Sequence, residues 1–332
     1  MTRDGTVLLT RTEVEGLLDL PECIAAVENA FRLRGEGRAR PPGVLGFPYA
    51  EGGGFHIKAA GLDLSRPYFA VKVNGNFTHN PERHAMPAIQ GAIVLCDAQN
   101  GYPLALLDSI AITIARTGAA TAVAAKYLAR PESAVATIYG CGHQGRVQLA
   151  AIARVRPIRR VDVFDADPAR AEKLARDLGG TLAIEIRPTR DPARSMRESD
   201  IVVTCTPSRQ PFVTQEDIGP GTFLAAVGAD SPEKQELDPR LLAANKCVVD
   251  VLDQCAEIGE LHHALAAGLV RREDVYADLS EIVAVKKTGR ESAEEIVVFD
   301  STGTALQDVA AAASVYEKAL KSGAGAWFRL AG

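Results

Sequence analysis

Residues 55–77 read FHIKAAGLDLSRPYFAVKVNGNF, two strand-like runs that carry His56, Lys58 and Lys72 among apolar neighbours. Lysine is seldom buried unless an anion pairs with it, so this stretch predicts an anionic partner for its ammonium groups. A further cation, Arg116, lies in ITIARTGAATAVAAKYLA, flanked by alanine and threonine. Arginine grips a carboxylate through two parallel hydrogen bonds, where lysine acts as a point charge. Lys72 and Arg116 together therefore predict a carboxylate clamp, the alternative for Lys72 being a structural ion pair. Period-two alternation puts His56 and Lys58 on one face of their strand and Ile57 and Ala59 on the other. Two readings of that polar face stay open. Either it lines a pocket, where Lys58 meets a second anionic or carbonyl group, or Lys58 reaches from the sheet rim into water. His56 divides likewise between pocket residue and satisfied core histidine.

Residues 140–145 spell GCGHQG, a G-x-G-x-x-G that follows the apolar run AVATIY and opens the helical stretch HQGRVQLAAIA. Only that context gives the pattern mechanical meaning. Gly140 permits the tight turn, Gly142 lets a pyrophosphate approach the backbone, and Gly145 lets helix pack on strand, with the phosphates at the helix N-terminus. His143 and Gln144 fill the variable positions. The next strand, RRVDVFD, ends at Asp165, where a carboxylate would hold ribose hydroxyls. No arginine follows to meet a 2′-phosphate, so NAD is favoured over NADP. Asp167, before Pro168, reads as a helix N-cap.

Ligands of such sheets sit at the carboxyl ends of the strands. That brings in Thr204, Thr206, Pro207 and Ser208 of VTCTPS, and Val227, Gly228 and Asp230 of AVGAD. The threonines divide between cofactor contact and a polar strand end with satisfied hydroxyls. Thr117, next to Arg116, joins the cofactor set. Asp230 is the carboxylate expected to move protons beside the nicotinamide.

These residues need elements to hold them. TRTEVEGLL and PECIAAVENAFRLRGEG predict two short helices, the second opened by proline. Strands are expected near 55–60, 68–73, 89–96 and 102–106, the last two joined at Asn100-Gly101, giving an antiparallel sheet. Asp108 or Ser109 caps a long helix through Arg116. From AVATIYG onward strands and helices alternate: RRVDVFD, TLAIEI, SDIVVTCT, GTFLAAVG and KCVVDV are apolar enough for a parallel sheet covered on both faces. EIVVFDSTGTALQDVAAAASVYEKALKS adds a strand and a long helix, so the two ends of the chain are expected to share one domain.

Composition narrows the function classes. A formal net charge of -5 across 332 residues gives no electrostatic reason to expect nucleic acid or an anionic membrane. The N-terminal stretch is too often interrupted by charge for a signal peptide, and Arg116 and Lys126 rule out a span in the alanine-rich segment. No C-x-x-C pair occurs among the six cysteines. Their apolar settings predict reduced thiols in the cytoplasm and no metal site.

ITIARTGAATAVAAKYLA, IYGCGHQG, VTCTPS and FLAAVGADSPEKQELDP, in this order and spacing, resemble the ornithine cyclodeaminase/mu-crystallin family. The resemblance runs from about Pro41 to Ala313. It implies a Rossmann-type doubly wound parallel α/β sheet, residues 122–302, inserted in a smaller α+β substrate-binding and dimerisation domain, residues 1–121 with 303–332. It also implies a homodimer built on the N-terminal sheet. By motif, Lys72 in VKVNGN and Arg116 in ARTGAA take the substrate carboxylate, and Asp230 in VGADSPEKQE is the acid/base. Arg40, before Pro41-Pro42, matches an arginine at the pocket entrance. Ser301, Thr302 and Gly303 match a loop that closes over nicotinamide and substrate. Where cyclodeaminases carry a glutamate for the substrate amine, the nearest match is His56. The expectation is NAD-linked interconversion of a small amino acid and its imino or keto acid. The alternatives are ornithine cyclodeamination and non-catalytic binding of a hydrophobic carboxylate.

Overall fold

The computed structural model describes residues 5–49 and 53–330. The chain forms two compact units, Met1–Arg116 with Thr304–Gly332, and Thr117–Gly303. The first break falls inside a helix at Arg116/Thr117 rather than at 121/122.

In chain order the first unit supplies β1 (Thr6–Leu9), α1 (Arg11–Leu17), α2 (Leu20–Gly35), β2 (Ala39–Tyr49), β3 (Gly53–Asp63), β4 (Pro67–Phe77), α3 (Asn80–His84), β5 (Ile89–Asp97), β6 (Pro103–Asp108) and the start of α4 (Ser109–Leu128). The second unit follows with β7 (Val135–Tyr139), α5 (His143–Val155), β8 (Arg160–Phe164), α6 (Pro168–Leu182), β9 (Glu185–Pro188), α7 (Pro192–Arg197), β10 (Ile201–Thr204), β11 (Arg209–Val213) and β12 (Phe223–Ala226). It continues through β13 (Gln235–Leu237), α8 (Pro239–Ala244), β14 (Lys246–Val249), α9 (Leu252–Ile258), α10 (Glu260–Ala266), β15 (Ala277–Asp278), α11 (Leu279–Val283) and β16 (Val297–Asp300). The chain then returns to the first unit with α12 (Ala305–Ser322) and β17 (Ala326–Phe328).

The first unit is a seven-stranded sheet in the order β17-β1-β6-β5-β4-β3-β2. It is mixed, not purely antiparallel, because β1 runs parallel to β6 at the end of the β2–β6 meander. The missed strand β2 carries Pro41, Pro42 and Pro48, which read as turn residues. It is tolerated because β2 is an edge strand, where a missing N–H breaks no ladder. One sheet face buries Ala60, Leu62, Tyr68, Ala70, Ile93 and Leu95, and α12 lies against β3, β4, β5 and α2. Alanines 310–313 of that helix are buried, and their small side chains let its backbone approach closely. The alternate face bears Leu45, Phe47, Phe55, Phe69, Val73 and Val94, all exposed. Asp108 accepts from the backbone N–H of Ile110 and Ala111, at 3.0 and 2.9 Å, and so caps α4.

The second unit is an eight-stranded parallel sheet in the order β15-β14-β16-β12-β10-β7-β8-β9, beside a two-stranded piece, β11-β13. Its central strands are apolar, as burial on both faces requires: Val135–Tyr139, Ile201–Thr204, Phe223–Ala226 and Val297–Asp300 have buried interiors. The expected strand TLAIEI is shorter than its composition suggests. Helix α6 runs through Leu182, Ala183 turns left-handed at φ 54°, and β9 begins only at Glu185. Asp167 caps α6 by accepting from the N–H of Ala169. Among the described residues no helix is long and apolar enough to cross a membrane, and no group of three His, Cys, Asp or Glu side chains is arranged for a metal ion.

Candidate active site

In the first unit β3 and β4 pair with Lys58 directly opposite Lys72, and both lysines are buried. The anion that Lys72 demands is Asp308 of α12, a residue the sequence reading did not single out although DSTGTALQD contains it. Lys72 Nζ lies 2.7 Å from Asp308 Oδ2, and Arg116 Nε lies 3.0 Å from Asp308 Oδ1. Lys72 Nζ also donates to the hydroxyl oxygen of Thr113, one turn before Arg116 on α4, at 3.4 Å. Of the two expectations for Lys72, the structure shows the ion pair, set beside two further cations.

The electrostatics follow from burial. Desolvation pulls the Lys72 ammonium down to about 7; Asp308 opposes that shift, while Arg116 and Lys58 add to it. Burial pushes the Asp308 carboxyl up, but Lys72 and Arg116, with Lys58 behind them, carry it below its ordinary value. Its place in the first turn of α12 also suits an anion, because the helix N-terminus is positive. Arg116 Nη1 donates to Gln307 Oε1 at 2.9 Å. Arginine has only donors, so the Gln307 amide must turn its oxygen that way. Its Nε2 is left buried without a hydrogen-bond partner. Two cations thus share one aspartate beside an unmatched N–H donor. A further carboxylate would satisfy both.

Lys58 does not run into water from the rim, for it is buried. His56 shares its strand face, is partly exposed, and pairs in register with Asn74. Arg40 is not brought to the cluster. It is exposed and stands opposite Gly61, whose face alternates with that of Lys58. A side chain at Gly61 would meet the Arg40 stem at 3.0 Å. The register shift between Arg40 and Gly43 accompanies the two prolines there.

In the second unit β7 ends at the glycine loop. Gly140 takes φ 108°, and its N–H donates to Phe164 O at 2.8 Å. A Cβ on Gly145 would fall 2.0 Å from Gly140 O, whereas one on Gly142 would meet nothing within 4 Å. The first clash shows strand and helix in close contact; the second shows an open cradle above the turn. His143, exposed, and Gln144, half-buried, form the start of α5. At the end of β8, Asp165 accepts from the N–H of Cys141 at 2.8 Å and of Asp167 at 3.0 Å, which fixes its carboxylate beside the loop. The strand order reverses between β7 and β10, the crevice at which such sheets hold nucleotides. These residues fit a dinucleotide. Its pyrophosphate would lie on Gly142 and the α5 N-terminus, and its ribose on Asp165.

The neighbouring strand ends are held from within. Thr204 and Thr206 give their hydroxyls to Glu236, each at 2.7 Å, so the satisfied-hydroxyl reading applies and those oxygens are not spare donors. Pro207 is exposed, and Val227 donates its N–H to Thr204 O at 2.9 Å. Gly228 N–H reaches Glu236 at 2.9 Å. Asp230 is exposed and pairs with Lys234 at 2.6 Å. The Ser301-Thr302-Gly303 turn is buried. Thr302 donates to Asp250 and accepts from Gln254, and Gly303 N–H donates to Asp250 at 2.7 Å. Thr117 is buried. All six cysteines are free thiols.

The sequence profile of the ornithine cyclodeaminase/mu-crystallin family matches residues 4–323. An alanine dehydrogenase of Archaeoglobus fulgidus is 40% identical over 323 residues, 96% of this chain and 97% of that protein. Among solved structures, an archaeal alanine dehydrogenase dimer with bound NAD superposes with a TM-score of 0.93 at 39% identity, covering 98% of this chain and 99% of that one. The Δ1-pyrroline-2-carboxylate reductase of Thermococcus litoralis, in complex with NADH and L-proline, does so with a TM-score of 0.92 at 34% identity, covering 97% and 100%.

Proposed function

The chain belongs to the ornithine cyclodeaminase/mu-crystallin family, and from that premise we propose that it is an NAD-dependent oxidoreductase interconverting a small 2-amino acid and its imino or keto acid. The observation that carries this reading is Asp308 shared between Lys72 and Arg116 beside the unmatched Gln307 amide. Lys72 and Arg116 bind the α-carboxylate, Arg116 fixing its plane and Lys72 adding charge. Asp308 resists the loss of the Lys72 proton and keeps both cations in one rotamer, which holds the Cα–H in a single orientation. Such positioning alone can lower a barrier by several kcal/mol, within the ~7–11 kcal/mol ceiling for full preorganisation. Asp230 exchanges protons with the amine and with the water that converts imine to keto acid. NAD, when bound, supplies the two-electron oxidant for the Cα–H bond.

Relatives named for alanine, pyrroline-2-carboxylate and iminosuccinate support small amino and imino acid substrates. The test is to supply L-alanine with NAD, and Δ1-pyrroline-2-carboxylate with NADH, following nicotinamide absorbance and ammonia. Stoichiometric NADH from alanine, or NADH consumed with the cyclic imine, supports the proposal. Ammonia from ornithine without net NADH means cyclodeamination instead, a reading weakened by His56 standing where cyclodeaminases carry glutamate.

The exposed apolar row of Leu45, Phe47, Phe55, Phe69, Val73 and Val94 supports a homodimer formed through that sheet face, since monomers rarely expose so continuous a patch. The dimeric state of the archaeal neighbour points the same way. Six free thiols support a cytoplasmic location.

A further inference from the structure

Glu236 on β13 is fully buried, yet no catalytic role has been given to it. Its carboxylate gathers four donors from two separate strand ends. Oε2 accepts from Thr204 Oγ1 at 2.7 Å and from Gly228 N at 2.9 Å. Oε1 accepts from Thr206 N at 2.6 Å and from Thr206 Oγ1 at 2.7 Å. Thr204 ends β10 and Thr206 follows it by two residues, as Gly228 follows β12, just before Asp230. Gly228 must be glycine for this to occur, because a Cβ there would fall 2.4 Å from both Glu236 Cδ and Thr206 O. The strand carrying Glu236 is pinned in turn by Glu260 of α10, which accepts from the N–H of Glu236 at 2.7 Å and of Leu237 at 3.1 Å.

Two carboxylates so deeply buried are a costly way to tie loops together, since an apolar plug would do so without desolvating charge. What a carboxylate adds is direction: all four lone-pair sites are filled, which fixes the Thr206 backbone relative to Gly228. From this geometry we infer that Glu236 is a positioning residue that sets the β10 and β12 loops for nicotinamide binding and for the aim of Asp230. The inference rests on the function proposed above. Burial raises Glu236, and the Thr204, Thr206 and Gly228 donors resist the rise. Glu260 is likewise raised, first by burial and then by the adjacent Glu236 and Asp300.

The experiment measures NADH binding by its fluorescence, together with separate kcat and KM values, for wild type, Glu236→Gln and Thr206→Val. Glutamine keeps the shape but presents an NH2 to two of the four donors. Valine removes one hydroxyl bond and leaves Glu236 in place. The expected result is an NADH dissociation constant raised about tenfold in Glu236→Gln, kcat lowered at least as much, and a smaller rise in Thr206→Val with KM for the amino acid little changed. Should Glu236→Gln fail to fold, Thr206→Val decides by the same split. Variants that fold with nucleotide affinity and kcat within twofold of wild type overturn the inference, even if they melt earlier. A wild-type protein that binds no NADH overturns the functional reading itself.

Discussion

Lys72 and Asp308 lie 2.7 Å apart, with side-chain exposures of 4% and 2%, and join β4 to the first turn of α12. Removing one member of such a buried pair leaves a desolvated charge, which costs about 3–5 kcal/mol. Asp308→Asn should therefore lower the urea midpoint strongly. Lys72→Met combined with Asp308→Asn should be less destabilised than the sum of the single changes, because of the two cations that lose Asp308 only Arg116 then remains charged. Strict additivity in a double-mutant cycle would show that the pair is not coupled.

Carboxylate affinity should weaken with rising pH. The free Lys72 ammonium, lowered to about 7 by burial against the pull of Asp308, loses its proton above that pH. A bound carboxylate favours the charged form, so binding takes up a proton. The inhibition constant of propionate, which has no amine to confuse the titration, should rise above pH 7 by as much as about tenfold per unit. In Lys72→Met that pH dependence should vanish, with kcat/KM down roughly 100-fold or more.

Stability also falls with rising pH, in a lower window. Burial holds Asp300 up to about 7, its bond from Leu261 N–H opposing, whereas an unfolded aspartate ionises near ~4. Folding thus retains a proton across that window. The stability present below the unfolded value is lost as pH rises toward 7. Denaturation midpoints should fall from pH 4 to 7 in the wild type and flatten in Asp300→Asn.

The glycine loop separates folding from binding. Gly145→Ala would drive a methyl to 2.0 Å from Gly140 O and should melt the βα junction. Gly142→Ala meets open space, so its melting temperature should hold while NAD affinity drops by about tenfold or more. Calorimetric melting with and without NAD distinguishes them.

Coenzyme choice should rest on Asp165, whose carboxylate is fixed by Cys141 and Asp167 N–H groups. Asp165→Ser removes the ribose acceptor and the charge that repels a 2′-phosphate. The ratio of kcat/KM for NAD over NADP should fall sharply. An unchanged ratio would show that the ribose lies elsewhere.

Phe47→Asp with Phe69→Asp places two charges on the exposed sheet face. Light scattering should then report a smaller species than wild type, if that face is the dimer interface.

Much of this was open to inspection in the sequence, because local chemistry dictated it. GCGHQG between an apolar run and a helix already required a strand, a tight turn and a helix N-terminus, and Asp165 followed from the length of one βα unit. Lys72 and Arg116 announced a buried anion by their apolar company. What that anion was could not be read locally. Asp308 lies far along the chain from Lys72, and only the return of α12 onto the first sheet brings the two together. The same holds for Glu236, which in EKQELDP resembles any surface glutamate until β13 carries it under the ends of β10 and β12. The setting of Arg40 was hidden for a related reason, since pleat parity across a bulge decides which face a side chain takes, and two prolines hid both strand and bulge. Spacing along the chain fixes chemistry within an element; which charges meet depends on how distant elements close on one another.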